Sequence, residues 1–187
     1  MPELDRIPPG QSLTTDFPVL HAGPVVHIEP RSFSLTLSGL MEPKTVIDWD
    51  QLLDYPATEQ TCDLHCVTGW TKLDTTWKGV RASTILAPLS LSADALHATV
   101  HAAGGWTTNL PLEELLRDDV LVAYEYEGRP ISADHGGPVR LLVPSLYLWK
   151  SAKWLSGIEF TTEQRLGYWE TRGYHALGDP WSEQRYS

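Results

Sequence analysis

The strand-like and helix-like runs of this 187-residue chain are all short, and they follow one another without regular alternation. That order argues for an α+β fold over a doubly wound parallel sheet. Ser34-Leu35-Thr36-Leu37-Ser38-Gly39 alternates polar and apolar residues as a half-buried strand does. Asp48 to Leu53 starts a short helix, with Pro56 close behind. Thr58 to Val67 is a strand candidate that puts Cys62, Leu64 and Cys66 on one face, and Gly69 with the Trp-rich segment ends it. Arg81 to Leu86 and Leu112 to Arg117 carry helical spacing. Ala98 to His101, Val120 to Tyr126, Val139 to Val143 and Gly157 to Thr161 complete the predicted strands.

One domain accounts for residues 1–187, with no internal repeat and no low-complexity linker. Residues 1–30, rich in Pro and Gly, read as an irregular arm across it. Residues 163–187 form a tail dense in aromatics and turns, which either caps the core or serves as a lid or docking surface. Trp70 and Trp77 carry the same two readings, pocket wall or core.

With 24 acidic residues against 14 Lys and Arg, the formal charge is −10. Nucleic acid and anionic membrane surfaces are therefore poor partners, because both need a basic face. No run is long enough to insert in a bilayer, and Met1 to Arg6 has neither a basic start nor an apolar segment. The expected location is the cytoplasm, although a removed export signal would leave the same start. No GxGxxG or GxxxxGK[ST] fingerprint occurs. On one strand Cys62 and Cys66 would stand about 13 Å apart, too far for a disulfide.

Cys66 ends an apolar run just before a glycine turn, in His65-Cys66-Val67-Thr68-Gly69-Trp70. It reads either as a buried structural thiol or as a soft thiolate ligand for a redox-active metal. A zinc set of Cys62, His65 and Cys66 fits poorly, since strand alternation turns His65 away from the two sulfurs. A second segment gathers His135, Arg140, Ser151 and Lys153 around Gly136-Gly137. These residues make either an anion cradle or ion pairs of Arg140 and Lys153 with carboxylates such as Asp134 and Glu159.

Together, HCVTGW, the following WKGV, DHGGPVR and KSAKWLSGIEF resemble the molybdopterin-binding oxidoreductase domain of the sulfite oxidase family, from about residue 33 to 162. The resemblance implies an α+β domain holding molybdenum with one molybdopterin. It places the metal ligand on Cys66 and pterin and phosphate contacts on His135, Arg140, Ser151, Ala152 and Lys153, with a further contact at or near His101. The arm around Phe17 to Leu20 resembles a family segment that lies against the cofactor.

The implied activity is two-electron oxo transfer on a small substrate, with electrons exchanged with a separate partner. Sulfite oxidases resemble one another in having arginines just after the ligand cysteine; Thr68-Gly69-Trp70-Thr71-Lys72 stands there instead, so sulfite is not the expected substrate. The chain also resembles a sulfoxide-reducing branch that works with a membrane haem protein. A cofactor carrier and a metal-free interaction module are the rival classes.

Overall fold

Strand pairing dominates the computed structural model, which describes residues 3–187. The predicted arm's first two residues lie outside that range. In chain order the elements begin with β1 (Ser12–Leu13), β2 (Ser34–Gly39), β3 (Met41–Glu42), β4 (Thr45–Asp48), α1 (Trp49–Asp54), β5 (Thr58–His65), β6 (Trp70–Arg81) and α2 (Ala82–Leu86). They continue with β7 (Ser90–Leu91), β8 (His97–Ala102), β9 (Trp106–Pro111), α3 (Leu112–Leu115), β10 (Leu121–Tyr126), β11 (Arg129–Pro130), β12 (Arg140–Leu142) and β13 (Leu155–Thr161).

Local signals account for several of these. Asp48 caps α1 by accepting from the Gln51 amide at 2.9 Å, while the Gln51 side chain accepts from the Asp48 amide at 3.0 Å. This reciprocal pair satisfies two free donors and fixes where the helix starts. The fold is the expected α+β class, with three helices of four to six residues among the described elements.

Two sheets carry the molecule. In the first, β6 pairs with β5 and β10 antiparallel and with β1 parallel, and β10 also holds β11 and β12. The second runs β4-β2-β13-β8-β9, parallel only between β2 and β13. Alternation along β10 divides its side chains. Val122 and Tyr124 face a large core with Leu35, Leu37, Val100, Ile158 and Phe160 of the second sheet. Leu121 and Ala123 face a smaller cluster with Leu64, Trp77 and Leu142, over which Phe17 of the arm packs.

One strand went unpredicted: the Trp-rich segment after the Gly69 turn is β6, the twelve-residue return strand of the hairpin. Its buried positions include Thr71, Thr75 and Trp77. The hydroxyls of Thr71 and Thr75 are hydrogen-bonded to His65 Nδ1 (2.9 Å) and the Cys62 carbonyl (2.7 Å). Cys62 and Leu64 face the same smaller cluster despite a register shift between them, whereas Cys66 lies past the end of β5, in the turn. No described helix is long and apolar enough to cross a membrane.

Candidate functional site

Between the ends of the two sheets lies a cleft of about 310 Å³, and Cys66 stands on its wall in the turn that joins β5 to β6. The turn closes because the Cys66 amide donates to the Trp70 carbonyl (2.9 Å) and the Gly69 amide to the Cys66 carbonyl (3.0 Å). Gly69 adopts φ 100°, a left-handed conformation in which a side chain would be strained. The Thr68 hydroxyl donates to the Cys66 sulfur at 3.1 Å.

Cys62 has a different environment, in the smaller apolar cluster, where burial pushes its thiol up to about 12. His65 turns to Thr71, and burial pushes its imidazole below the usual range. Among the described residues, no three His, Cys, Asp or Glu gather closely enough to hold a metal by themselves. The zinc set is therefore not assembled.

Arg140, on β12, reaches the same cleft with Ser151, Ala152 and Lys153 from the loop before β13. Its guanidinium is fully buried and donates only to backbone carbonyls, His135 O and Ser151 O at 2.8 Å each and Leu141 O at 3.4 Å. Burial pulls its pKa down to about 10. Lys153 Nζ donates to the carbonyls of Leu20 (3.0 Å) and Asp134 (2.7 Å). Burial and the neighbouring Arg140 pull it down to about 8.

The ion pairs that would have made these two cations merely structural do not form. Glu159 pairs with Arg165 and faces His101, and the Asp134 contact is to its backbone. Arg140, buried, and Lys153, half-buried, without a carboxylate in ion-pair contact leave this part of the cleft short of negative charge in a chain of net charge −10. The Ser151 hydroxyl is used inward, accepting from the Val143 amide at 2.8 Å.

The Gly-Gly turn brings its two strands of chain very close. A β-carbon on Gly136 (φ 97°) would sit 2.6 Å from Lys153 Cβ. His135 stacks on Phe17 with ring centroids 4.0 Å apart, and its buried Nδ1 has no partner. Burial first, then Arg140 and Lys153, push its pKa down to about 4, so the ring is neutral at neutral pH. Pro18, Leu20 and His21 of the arm line the cleft, whereas His135 is not among its lining residues.

His101 is not brought to the cleft. Its Nε2 lies 3.4 Å from Glu159 Oε2, and its neighbour Ala102 lines the cleft from the opposite face of β8. The tail read from the sequence as cap or lid supplies Trp169 and Tyr174 to an aromatic wall of the cleft, and sequence reasoning missed Trp106 and Trp149, which complete it. The tail thus both caps the molecule and walls the cleft. Trp70 lines the cleft, whereas Trp77 is core. Behind the wall, Lys150 and Glu170 form a pair at 2.6 Å with no exposed side-chain surface, and Glu170 also accepts from Thr108 (2.7 Å) and Trp149 (3.1 Å).

Comparison with known proteins adds the following. Residues 22–169 match the oxidoreductase molybdopterin binding domain family. The chain is 45% identical over 183 residues to the uncharacterized oxidoreductase YuiH of Bacillus subtilis, covering 97% of this chain and 92% of that protein. It is 25% identical to human mitochondrial sulfite oxidase, covering 81% of this chain but only 33% of the longer protein. Among solved structures, the sulfane dehydrogenase SoxCD of Paracoccus pantotrophus shares the fold, with a TM-score of 0.68 and 21% identity over 75% of this chain and 41% of that one.

Proposed function

This chain belongs to the oxidoreductase molybdopterin binding domain family, and on that premise we propose that it is a molybdenum enzyme of two-electron oxo transfer. One observation carries the reading: a cysteine sulfur and two cations without carboxylate partners face one cleft of about 310 Å³. The residues fit the group. Cys66 is the soft sulfur donor, and Arg140 and Lys153 are the unmatched positive charge for a phosphate, with the His135 backbone carbonyl holding Arg140 in place. Ser151 and Ala152 shape the cradle between the cations.

When bound, the molybdenum supplies the redox change and the oxygen transfer. The protein's part is to hold and exclude. The Thr68 hydroxyl orients the Cys66 sulfur, and such outer contacts tune a metal ligand. The backbone carbonyls that hold Arg140 and Lys153 fix their charges before any anion arrives, so little reorganisation opposes binding.

The aromatic wall gives a small substrate rings to pack against beside Cys66, which supports an enzyme over a cofactor carrier. Lys72, the cation nearest after Cys66, reaches the Thr15 carbonyl at 2.5 Å instead of the cleft. A wall of Trp and Tyr without a further cation supports a small uncharged substrate, of the sulfoxide or N-oxide kind, over sulfite. Electrons are exchanged with a separate partner protein.

The test is metal analysis of protein expressed with molybdate, beside Cys66→Ser and Cys62→Ser. Stoichiometric molybdenum in the wild type and Cys62→Ser, lost in Cys66→Ser together with dye-linked turnover, is the expected result. Equal, negligible molybdenum in all three proteins overturns the reading.

A further inference from the structure

The turn that carries Cys66 is held from both ends of the chain at once. Its own hairpin bonds account for the Cys66 amide and one contact to the Cys66 carbonyl. The rest come from far away. Gln11 Nε2 of the arm donates to the Cys66 carbonyl at 3.1 Å, and the Ser12 amide to the Gly69 carbonyl at 2.9 Å. From the tail, Arg185 Nη1 donates to the Val67 carbonyl at 2.7 Å, next to the cysteine in sequence.

The same guanidinium reaches the arm, with Nη2 donating to the carbonyls of Pro9 (3.2 Å) and Gly10 (3.1 Å). It lies 5.4 Å from the centroid of the fully buried Tyr147 ring. Thus one planar cation joins the cysteine turn, the N-terminal arm and the C-terminal tail, through residues 118 and about 175 positions apart in sequence. A guanidinium suits the task because its rigid fork presents several donors at fixed angles, where an ammonium is a single point. Arg185 also lies beyond residues 22–169, the segment that matches the family.

We propose that Arg185 is a positioning residue for the Cys66 sulfur: it latches arm and tail onto the Val67 carbonyl and so fixes where the sulfur points into the cleft. The latch itself stands on this geometry; its consequence for a metal rests on the function proposed above. A charge-assisted bond to the peptide next to a ligand sets both its position and its rigidity. Loss of the latch frees the turn while leaving the two sheets intact.

The test is read first on cofactor-free, full-length protein, as the rate of iodoacetamide alkylation at each cysteine by mass spectrometry. Cys62, half-buried in β5 of the same hairpin with its thiol pushed up to about 12 by desolvation, reports global unfolding. Arg185→Met keeps an apolar stem over Tyr147 and removes every donor; Arg185→Lys keeps one charged donor. The expected result is Cys66 alkylation about tenfold faster in Arg185→Met and about threefold faster in Arg185→Lys, with Cys62 unchanged.

The proposal is overturned if Arg185→Met reacts within about twofold of wild type, if the lysine variant is as fast as the methionine one, or if both cysteines accelerate together. Should Arg185→Met not fold, Arg185→Lys against wild type decides by the same criteria. On molybdenum-loaded protein, the same variants are expected to alter the metal–sulfur X-ray absorption spectrum. A failure to load metal would count against the proposed function and leave the alkylation result standing.

Discussion

Lys150 and Lys153 stand three residues apart, and both are drawn below their ordinary pKa by burial, yet they do opposite things. Lys150 is wholly enclosed and completed from within: Glu170 at 2.6 Å, the Ala176 carbonyl at 2.6 Å and two oxygens of Asn109 at 2.9 and 3.1 Å. Lys153 has two carbonyls, Arg140 as a repelling neighbour and no carboxylate in ion-pair contact, Asp134 acting on it only from a distance. Burial alone does not mark a functional cation. On the function proposed above, what sets Lys153 apart is positive charge without an ion-pair partner, which a bound phosphate would balance.

The largest effect separating the two belongs to the enclosed Lys150–Glu170 pair. Lys150→Met leaves Glu170 buried without its partner and is expected to cost about 3–5 kcal/mol in denaturant unfolding. A loss below about 1 kcal/mol would erase the distinction. Next comes Arg140→Met, on the uncompensated side. Its unfolding free energy should fall by only about 1–2 kcal/mol, for the carbonyls left without donors. Its affinity for inorganic phosphate, by calorimetry, should drop about 10- to 100-fold. A variant that unfolds like Lys150→Met but binds phosphate normally would reverse the roles.

The smallest effect concerns pH. Lys153 has a folded-state pKa of about 8, below its ordinary 10.5, so between those values the unfolded chain holds the extra proton. Stability of the cofactor-free protein is therefore expected to rise with pH from about 8 to about 10.5. The protection given by inorganic phosphate should fade across the same window as the cation is lost. Melting temperatures across this range, with Lys153→Met as the flat control, check both trends. A wild-type protein whose melting temperature follows Lys153→Met throughout would sharpen the assignment onto Arg140 alone.

Elements whose buried positions are apolar were legible in the sequence. Ser34 to Gly39, Val120 to Tyr126 and the Asp48-capped helix have simple periodicity and local caps, and the structure has them within a residue or two. β6 and β9 were not legible, because their buried positions include Thr71, Thr75, Thr108 and Asn109. Polar residues become interior only when partners on other strands satisfy them, and a hydropathy pattern cannot register that. His101 went astray for a related reason: spacing along a strand gives a position but not the face, and Ala102 has the face toward the cleft.

The order of residues fixed the α+β class, the separation of the two cysteines, and the two motifs that meet as sulfur and cations. Each depends on neighbours within a few positions, where backbone geometry dictates the outcome. Tertiary structure alone decided that Arg140 and Lys153 have no carboxylate, that the tail walls the cleft with Trp169 and Tyr174, and that Arg185 reaches the Val67 carbonyl. Those facts depend on which distant groups come within hydrogen-bonding distance, and chain closure over more than a hundred residues leaves no trace in local sequence.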